Sequence, residues 1–186
     1  MPQPRPMRAD ARRNYERLLK VAAEAFAEHG ENASLDDIAK RAGVGSGTLY
    51  RHFPTRQKLL EAAYVDRIEA LGARADELAR ELAPGEALME WLNELCVATL
   101  QVRGMKALLG KAVTDSDAAP VTACGSVVQG AVGPLVRAAQ AEGSVRGDLE
   151  PIELLRLVHG VATALECAEG RQIRRYLTLL AEGLRP

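Results

Sequence analysis

Apolar residues recur at helical spacing from the first third of the chain onward. The first such set is Leu18, Val21, Ala22, Ala25 and Phe26. Residues three and four positions apart share one face of an α-helix, so this set predicts a helix with one buried face. Asp10 is the candidate N-cap of that helix, and Gly30 is the residue that stops it.

Two short helices are predicted next. The apolar set of the first is Leu35, Ile38, Ala39 and Ala42. Ser34 is its candidate N-cap, with Asp37 three positions later as in a capping box, and Gly43 ends it. A turn at Val44 and Gly45 leads into a third helix of little more than two turns.

The third helix ends at Phe53, where Pro54 interrupts the helical pattern. Thr55 is the candidate N-cap of a long helix that continues to about Leu82. Beyond Pro84 the apolar spacing and the glycine and proline separators predict five more helices, over residues 85–102, 104–113, 120–141, 150–168 and 171–184.

No segment alternates apolar and polar residues between turn signals, as a strand would. The chain is therefore predicted to be all-α, with about nine helices. We expect a flexible basic arm over residues 1–9, a three-helix domain over 10–54, and a larger helical domain over 55–186.

Charge divides the chain in a way that the net value of -1 conceals. Residues 1–60 carry 11 Lys and Arg against 7 Asp and Glu, whereas the other 126 residues carry 13 against 18. A basic N-terminal third is typical of a segment that meets phosphate groups. The composition, 47% apolar and 26% charged, is that of a globular protein.

One stretch, from Ala118 to Val136, is uncharged over a length that could cross a membrane. It contains Pro120, Pro134 and several small polar residues, so we predict a buried helix of a protein that does not enter the membrane. The segment from Met1 to Arg13 lacks the apolar core of a signal peptide.

Three cysteines, Cys96, Cys124 and Cys167, have no metal-ligand spacing. We expect buried reduced thiols in a cytoplasmic protein that uses no metal and no cofactor. The titratable groups of the C-terminal part, such as His159, Glu166 and Asp115, are scattered. A small all-α enzyme is the alternative, but it would require titratable residues that cluster in the C-terminal core, so we expect no enzyme activity.

The segment from Ser34 to Phe53, SLDDIAKRAGVGSGTLYRHF, has the pattern of a helix-turn-helix. Leu49 and Phe53, four residues apart, would anchor its second helix in the core. The side chains left outside are Ser46, Gly47, Thr48, Tyr50, Arg51 and His52. Hydroxyls, an aromatic ring and a cation suit a major groove, and a glycine there allows the backbone to approach DNA closely.

These residues resemble the DNA-binding domain of the TetR/AcrR family of transcriptional regulators. The resemblance covers about residues 15–64 and rests on the runs AAEAFAEHG, SLDDIAKRAGV and GTLYRHFPTRQKLLEAAY. It implies a homodimer that binds a palindromic DNA operator, usually as a repressor, and that releases DNA when a small molecule binds the C-terminal domain.

The resemblance also implies roles for individual residues. Thr48 and Tyr50 match contacts of the recognition helix to bases or backbone, His52 matches a frequent histidine, and Ser34 matches a cap that meets the DNA backbone. Arg56 and Lys58 match phosphate contacts, and Lys40 completes the candidate cations. The chain departs from the family at Gly45 and Ser46, where a serine followed by a cation or proline is common; Ser46 is then the alternative N-cap.

The arm offers further candidates for DNA contact, Arg8, Arg12 and Arg13. They either neutralise phosphates or enter the minor groove, which would steepen the salt dependence of binding, or they are merely solvated. The sequence leaves both alternatives open.

Two amphipathic helices near the C-terminus are predicted to pair with their copies in a homodimer, as the family resemblance implies. The candidate interface residues are Leu154, Val158, Val161, Leu165, Ile173, Tyr176, Leu177 and Leu180. Gly160, Ala164 and Ala168 recur four residues apart and would allow close helix approach.

A set of apolar and weakly polar residues is the candidate lining of an effector pocket: Trp91, Leu95, Cys96, Thr99, Met105, Leu109, Cys124, Val128, His159 and Thr163. The alternative is ordinary core packing. A pocket of this lining favours a largely apolar effector, and the long helix from Thr55 to Leu82 would transmit its effect. A ligand-independent or architectural DNA-binding regulator is the alternative function.

Overall fold

A computed structural model describes the backbone of residues 5–101, 103–114, 123–165 and 170–185. Within these residues all regular structure is helical, which confirms the all-α prediction. The helices are α1 (Arg5–His29), α2 (Leu35–Arg41), α3 (Ser46–His52), α4 (Arg56–Glu81), α5 (Pro84–Gln101), α6 (Arg103–Thr114), α7 (Ala123–Glu142), α8 (Pro151–Ala164) and α9 (Gly170–Gly183), with a short 3₁₀ turn at Gly30–Asn32.

Helix α1 begins earlier than the sequence pattern indicated. It starts at Arg5, whereas a flexible arm was predicted over residues 1–9 and an N-cap at Asp10. Pro6 does not prevent this, because a proline in the first turn of a helix lacks only an N–H group that has no helical partner there. Residues 1–4 lie outside the described part of the arm.

The chain divides into two compact units, Met1–Val65 and Asp66–Pro186. The division falls inside α4, later than the boundary predicted after Pro54. The reason is that the first turns of α4 belong to the N-terminal core: Leu59 and Leu60 are buried, and the Tyr64 hydroxyl donates a hydrogen bond to the Ala23 carbonyl oxygen of α1 at 2.9 Å.

In the N-terminal unit, α2 and α3 pack on each other and α2 packs on α1. The core of this unit contains the apolar faces that the spacing predicted, namely Leu18, Ala22, Ala25, Phe26, Leu35, Ile38, Ala39, Leu49 and Phe53. Two of the predicted N-caps, Ser34 and Thr55, are present. The Asp37 N–H donates to Ser34 Oγ and the Lys58 N–H to Thr55 Oγ1, each at 3.2 Å.

The C-terminal unit is built around α5, which packs against α6, α7, α8 and α9. Trp91, in the middle of α5, is fully buried, and its indole N–H donates to the Leu71 carbonyl oxygen at 2.9 Å. Helix α4 also approaches α7 closely, since a Cβ atom at Gly72 would lie 3.0 Å from Val127. None of the helices in the described residues is long and apolar enough to cross a membrane.

The cysteines lie where the sequence placed them, as far as the structure describes them. Cys96 and Cys124 are buried, and burial raises the pKa of the Cys96 thiol to about 11, so this group stays protonated at neutral pH. Cys167 lies outside the described residues.

Candidate nucleic-acid interface

Helix α3 separates its side chains into an anchored face and an open face. Leu49 is fully buried, and Phe53, which ends the helix, is 5% exposed. The remaining side chains are exposed: Ser46, Thr48, Tyr50, Arg51 and His52, together with Gly47. Tyr50 is 45% exposed, a high value for a large aromatic side chain. The predicted DNA-facing set is therefore accessible on one short helix.

The N-terminus of α3 differs from the alternative that the sequence left open. Gly45 is the N-cap and makes no side-chain hydrogen bond, while Ser46 is the first helical residue and does not cap. The N–H groups of Thr48 and Leu49 both donate to the Gly45 carbonyl oxygen, at 2.9 and 3.1 Å. A backbone carbonyl thus starts the helix, and the Ser46 hydroxyl is left exposed.

The turn before α3 is a Schellman motif, in which two backbone bonds close the end of α2. The Gly43 N–H donates to the Lys40 carbonyl oxygen at 3.1 Å, and the Val44 N–H to that of Ala39 at 3.0 Å. Gly43 has a φ of +67°, a left-handed conformation that disfavours side chains with a Cβ atom. This explains why a glycine ends α2.

Arg17 of α1 is a residue that the sequence analysis did not select. Its Nε donates to the Ala42 carbonyl oxygen at 2.7 Å, and its Nη2 donates to Asn14 Oδ1 at 3.1 Å. A guanidinium at the C-terminus of a helix is favourable, because it pairs with a carbonyl that has no helical partner. From sequence, Arg17 was one arginine among several on α1, and no local signal distinguished it.

Aromatic contacts join α1 to the other end of α3. The rings of Tyr15 and Phe53 are stacked with centroids 5.8 Å apart, and Tyr15 meets His52 edge-on at 6.4 Å. Tyr15 remains 41% exposed, so the stacking leaves part of its ring open. Tyr15 was also absent from the predicted site.

The two predicted phosphate contacts at the start of α4, Arg56 and Lys58, have different surroundings. Arg56 is half-buried and its Nη1 donates to the Ala33 carbonyl oxygen, so part of its guanidinium closes the loop before α2. Lys58 remains exposed, but its Nζ lies 3.2 Å from Oε2 of the buried Glu61. The Ala33 carbonyl uses one of the donors of Arg56, and the phosphate contact of Arg56 stays a prediction.

Other predicted contacts are exposed. Lys40 and the Ser34 residue, whose hydroxyl caps α2, both face solvent. Arg41 next to Lys40 forms ion pairs with Glu24 and Glu28, at 3.4 and 3.8 Å. These glutamates partly neutralise Arg41, so Lys40 is the less compensated cation of α2.

The arginines of the predicted arm lie on the first turns of α1. Arg12 pairs with Glu16 at 2.9 Å, and Arg13 pairs with Asp10. Both arginines are largely exposed, and exposed pairs of this kind are weak, so each can exchange its carboxylate partner for a phosphate at small cost. The side chain of Arg8 lies outside the described residues.

The predicted effector residues are mostly buried in the C-terminal unit: Trp91, Leu95, Cys96, Thr99, Met105, Leu109, Cys124 and Val128. Two polar residues of the predicted lining, Thr99 and Thr163, have other surroundings. The Thr99 hydroxyl donates to the Leu95 carbonyl oxygen at 2.7 Å, and Thr163 is exposed on α8. Thr163 was placed in the pocket because the spacing alone did not establish which face of α8 is buried.

His159 differs from these groups. Its Nδ1 atom is buried and, within the described part of the chain, has no hydrogen-bond partner. Its ring packs against Gly110 of α6, where an added Cβ would lie 3.2 Å from Cε1 and Nε2. Burial, and then the charge of Lys106, lower the pKa of His159 below its usual value, so the imidazole is neutral at physiological pH.

Four residues of the predicted dimer face are buried within the single chain: Leu154, Val158, Ile173 and Leu177. They face the core because α8 and α9 both pack on α5. Val161, Leu165 and Leu180 are half-buried, and the large apolar residues exposed on the two helices are Leu157, Tyr176 and Leu179.

Comparisons with known proteins identify a family for both parts of the chain. Residues 18–63 match the family model described as bacterial regulatory proteins, tetR family, and residues 83–186 match the model described as transcriptional regulator SbtR-like, C-terminal domain. An HTH-type transcriptional regulator of Staphylococcus aureus (strain USA300) is 48% identical over 54 residues, which is 28% of this chain and 29% of that protein. The match thus spans less than a third of that relative's length.

Solved structures extend the similarity to nearly the whole chain. A TetR transcriptional regulator from Streptomyces coelicolor is 37% identical, with 92% of this chain and 98% of that chain covered and a TM-score of 0.59. A TetR transcription regulatory protein from Mycobacterium vanbaalenii is 33% identical, with 97% and 100% covered and a TM-score of 0.53.

Proposed function

This chain belongs to the TetR family of bacterial transcriptional regulators, with a DNA-binding helix-turn-helix domain, and we propose that it is a homodimeric repressor that a small, largely apolar molecule releases from its operator. The observation that carries the DNA-binding part is α3, whose polar side chains are exposed while Leu49 and Phe53 anchor it. Such a helix can enter a major groove without disturbing its own core.

Within α3, we propose that Thr48 and Tyr50 contact base edges and the neighbouring backbone, and that Arg51 reaches a guanine or a phosphate. Ser34, Lys40 and Lys58 lie on the flanking helices and would contact phosphates, and Arg12 and Arg13 would add contacts from α1. Each phosphate neutralised would steepen the logarithmic dependence of affinity on salt by about 0.9.

We further propose that two copies pair through the exposed apolar residues of α8 and α9. Leu179 and Tyr176 are 51% and 48% exposed, and Leu157 is 43% exposed, which is unusual for side chains of this size. Gly160 and Ala164 are exposed on α8 as well and would let two helices approach closely. To occupy successive major grooves, the two recognition helices of a dimer must lie one DNA turn apart, about 34–36 Å.

The effector part of the proposal rests on the lining of the C-terminal core. The side chains of α5, α6 and α7 that could surround a ligand are apolar or weakly polar, so a charged effector would lose its hydration without compensation. Binding must favour a conformer whose recognition helices no longer match the operator.

The DNA-binding part is tested by selecting genomic fragments with the purified protein and measuring affinity for the strongest fragment and for a scrambled duplex. Thr48→Ala combined with Tyr50→Ala should abolish the preference for the selected fragment, while Lys20→Gln, which removes one charge elsewhere on α1, should retain it. Unchanged footprints in the double variant would place the recognition surface elsewhere.

The dimer is tested by sedimentation. Leu179→Glu should yield monomers, because it places a charge in the proposed apolar interface. Thr178→Glu is the matched control: Thr178 is exposed on the same helix, and its hydroxyl bonds back to Arg174. If Leu179→Glu remains a dimer at micromolar concentration, the interface lies on another face.

For the effector, a thermal-shift screen with uncharged apolar metabolites should find compounds that raise the melting temperature and also release the selected fragment. Compounds that stabilise the protein without weakening DNA binding would favour a ligand-independent regulator.

A further inference from the structure

Two residues of α1 hold the two ends of the recognition helix. Arg17 bonds to the carbonyl of Ala42, one residue before the turn that leads into α3, and Tyr15 stacks on Phe53, where α3 ends. Neither residue belongs to the helix-turn-helix itself. We propose that Arg17 and Tyr15 are positioning residues, which set the orientation of α3 and thereby the sequence specificity of DNA binding without touching DNA.

The contact of Arg17 completes the end of α2. The Schellman bonds occupy the carbonyls of Ala39 and Lys40, and the Ala42 N–H occupies that of Ile38. The Ala42 carbonyl has no partner within α2, and Arg17 Nε supplies one at 2.7 Å. A charge-assisted bond at this point ties the turn to α1 rather than to water.

Gly43 brings the backbone of the turn against the same guanidinium. A Cβ atom at Gly43 would lie 3.2 Å from Arg17 Nη2, so the side chain covers the turn closely. The guanidinium is held in turn by Asn14, whose Oδ1 accepts from Nη2 at 3.1 Å. Both partners of Arg17 restrict its rotamer, which gives the turn a fixed support.

Tyr15 supports the opposite end. Its ring is nearly parallel to that of Phe53, at an interplanar angle of 27°, and it meets His52 edge-on at 69°. The Phe53 N–H donates to the Leu49 carbonyl at 2.8 Å and closes the last turn of α3. A seven-residue helix has few bonds of its own, so contacts at both ends determine how firmly its exposed face is presented.

The sequence specificity of DNA binding depends on the orientation of α3 more than the overall affinity for DNA does. Contacts to phosphate tolerate small changes of helix orientation, whereas bidentate bonds to base edges do not. Loosening either support should therefore weaken binding to the selected fragment and leave binding to a scrambled duplex nearly unchanged. This inference rests on the proposed function, because it assumes that α3 reads DNA.

The experiment compares Arg17→Gln, Arg17→Lys, Tyr15→Ala and Tyr15→Phe with wild type and with Lys20→Gln. Affinity for the selected fragment and for its scrambled duplex is measured across a salt series. Arg17→Gln and Tyr15→Ala should each lower the ratio of the two affinities about tenfold. Arg17→Lys, which can still donate to the Ala42 carbonyl, and Tyr15→Phe, which retains the ring, should recover most of the ratio.

The salt series separates positioning from contact. If Arg17 only supports the turn, Arg17→Gln keeps the salt slope of Lys20→Gln, whereas loss of a phosphate contact would reduce the slope by about 0.9 for each protomer. A reduced slope, or a Tyr15→Phe variant as weak as Tyr15→Ala, would show direct contact with DNA and overturn the inference.

A measurement without DNA tests the same inference independently. Amide hydrogen exchange should accelerate at Thr48, Leu49 and Phe53 in Arg17→Gln and Tyr15→Ala, relative to Ile38 in α2. Unchanged exchange at these three amides in the folded variants would overturn the support role. A wild type that prefers no fragment over the scrambled duplex would refute the proposed function alone, and the exchange data would still decide the role of α1.

Discussion

Replacing Gly47 with alanine should strengthen the fold and weaken DNA binding. Gly47 lies in the first turn of α3 and is exposed, and a Cβ atom added there would meet nothing within 4 Å. Its backbone is not in the left-handed region, so alanine is not strained. Because alanine loses less entropy on folding than glycine, Gly47→Ala should raise the free energy of unfolding by about 0.5–1 kcal/mol.

For a chain of this size, about 1 kcal/mol corresponds to roughly 2–4 °C in the melting temperature. We therefore expect a rise of about 1–4 °C by calorimetry. Affinity for the selected fragment should fall about tenfold or more, because the new methyl group occupies space that the close approach of the α3 backbone to DNA requires.

A matched control is Gly147→Ala, where an exposed glycine in the other unit also has nothing within 4 Å of an added Cβ. It should leave DNA affinity unchanged. Gly43→Ala should instead lower stability, because its φ of +67° disfavours a Cβ atom. If Gly47→Ala raises the melting temperature but binds DNA as wild type does, the first turn of α3 does not approach DNA and the proposed docking is wrong.

Three further outcomes are expected. His159 binds a proton less readily in the folded chain than in the unfolded one, so stability should fall as the pH drops below its usual pKa of 6.5. In His159→Phe the loss of melting temperature between about pH 7.5 and 5 should be smaller than in wild type, and an equal loss would contradict this role of His159. Leu177→Ala should cost about 2–5 kcal/mol in chemical denaturation and leave the dimer intact in sedimentation, since this side chain is buried in its own chain. Glu61→Gln removes the carboxylate that holds Lys58, so binding to non-specific DNA should strengthen and its salt slope steepen; an unchanged slope would exclude Lys58 as a phosphate contact.

The N-terminal unit was predictable from sequence because its signals are local. Ser34, Gly43 and Thr55 act within three residues of their partners, and a glycine with positive φ ends α2 as the pattern indicated. The separation of Leu49 from its exposed neighbours also follows from helical periodicity alone. These features require no knowledge of distant parts of the chain.

The supports of α3 were not predictable in the same way. Arg17 and Ala42 are 25 positions apart, and Tyr15 and Phe53 are 38 positions apart. Arginines and tyrosines on an amphipathic helix are equally consistent with a solvated face, so only the packing of α1 on the helix-turn-helix distinguishes a support from an ordinary surface residue. The bond from Arg56 to the Ala33 carbonyl could not be predicted for the same reason, because the two residues are 23 positions apart.

The sequence by itself determined that the chain is all-α, where most helices begin and end, that its N-terminal third carries a helix-turn-helix, and which α3 residues face outward. Tertiary structure alone decided which stripe of α8 and α9 is the core. Periodicity establishes that Leu177 and Leu180 share a face, but not whether that face meets α5 or a second chain. Burial depends on what packs against a helix, and that is a property of contacts between distant segments rather than of spacing within one.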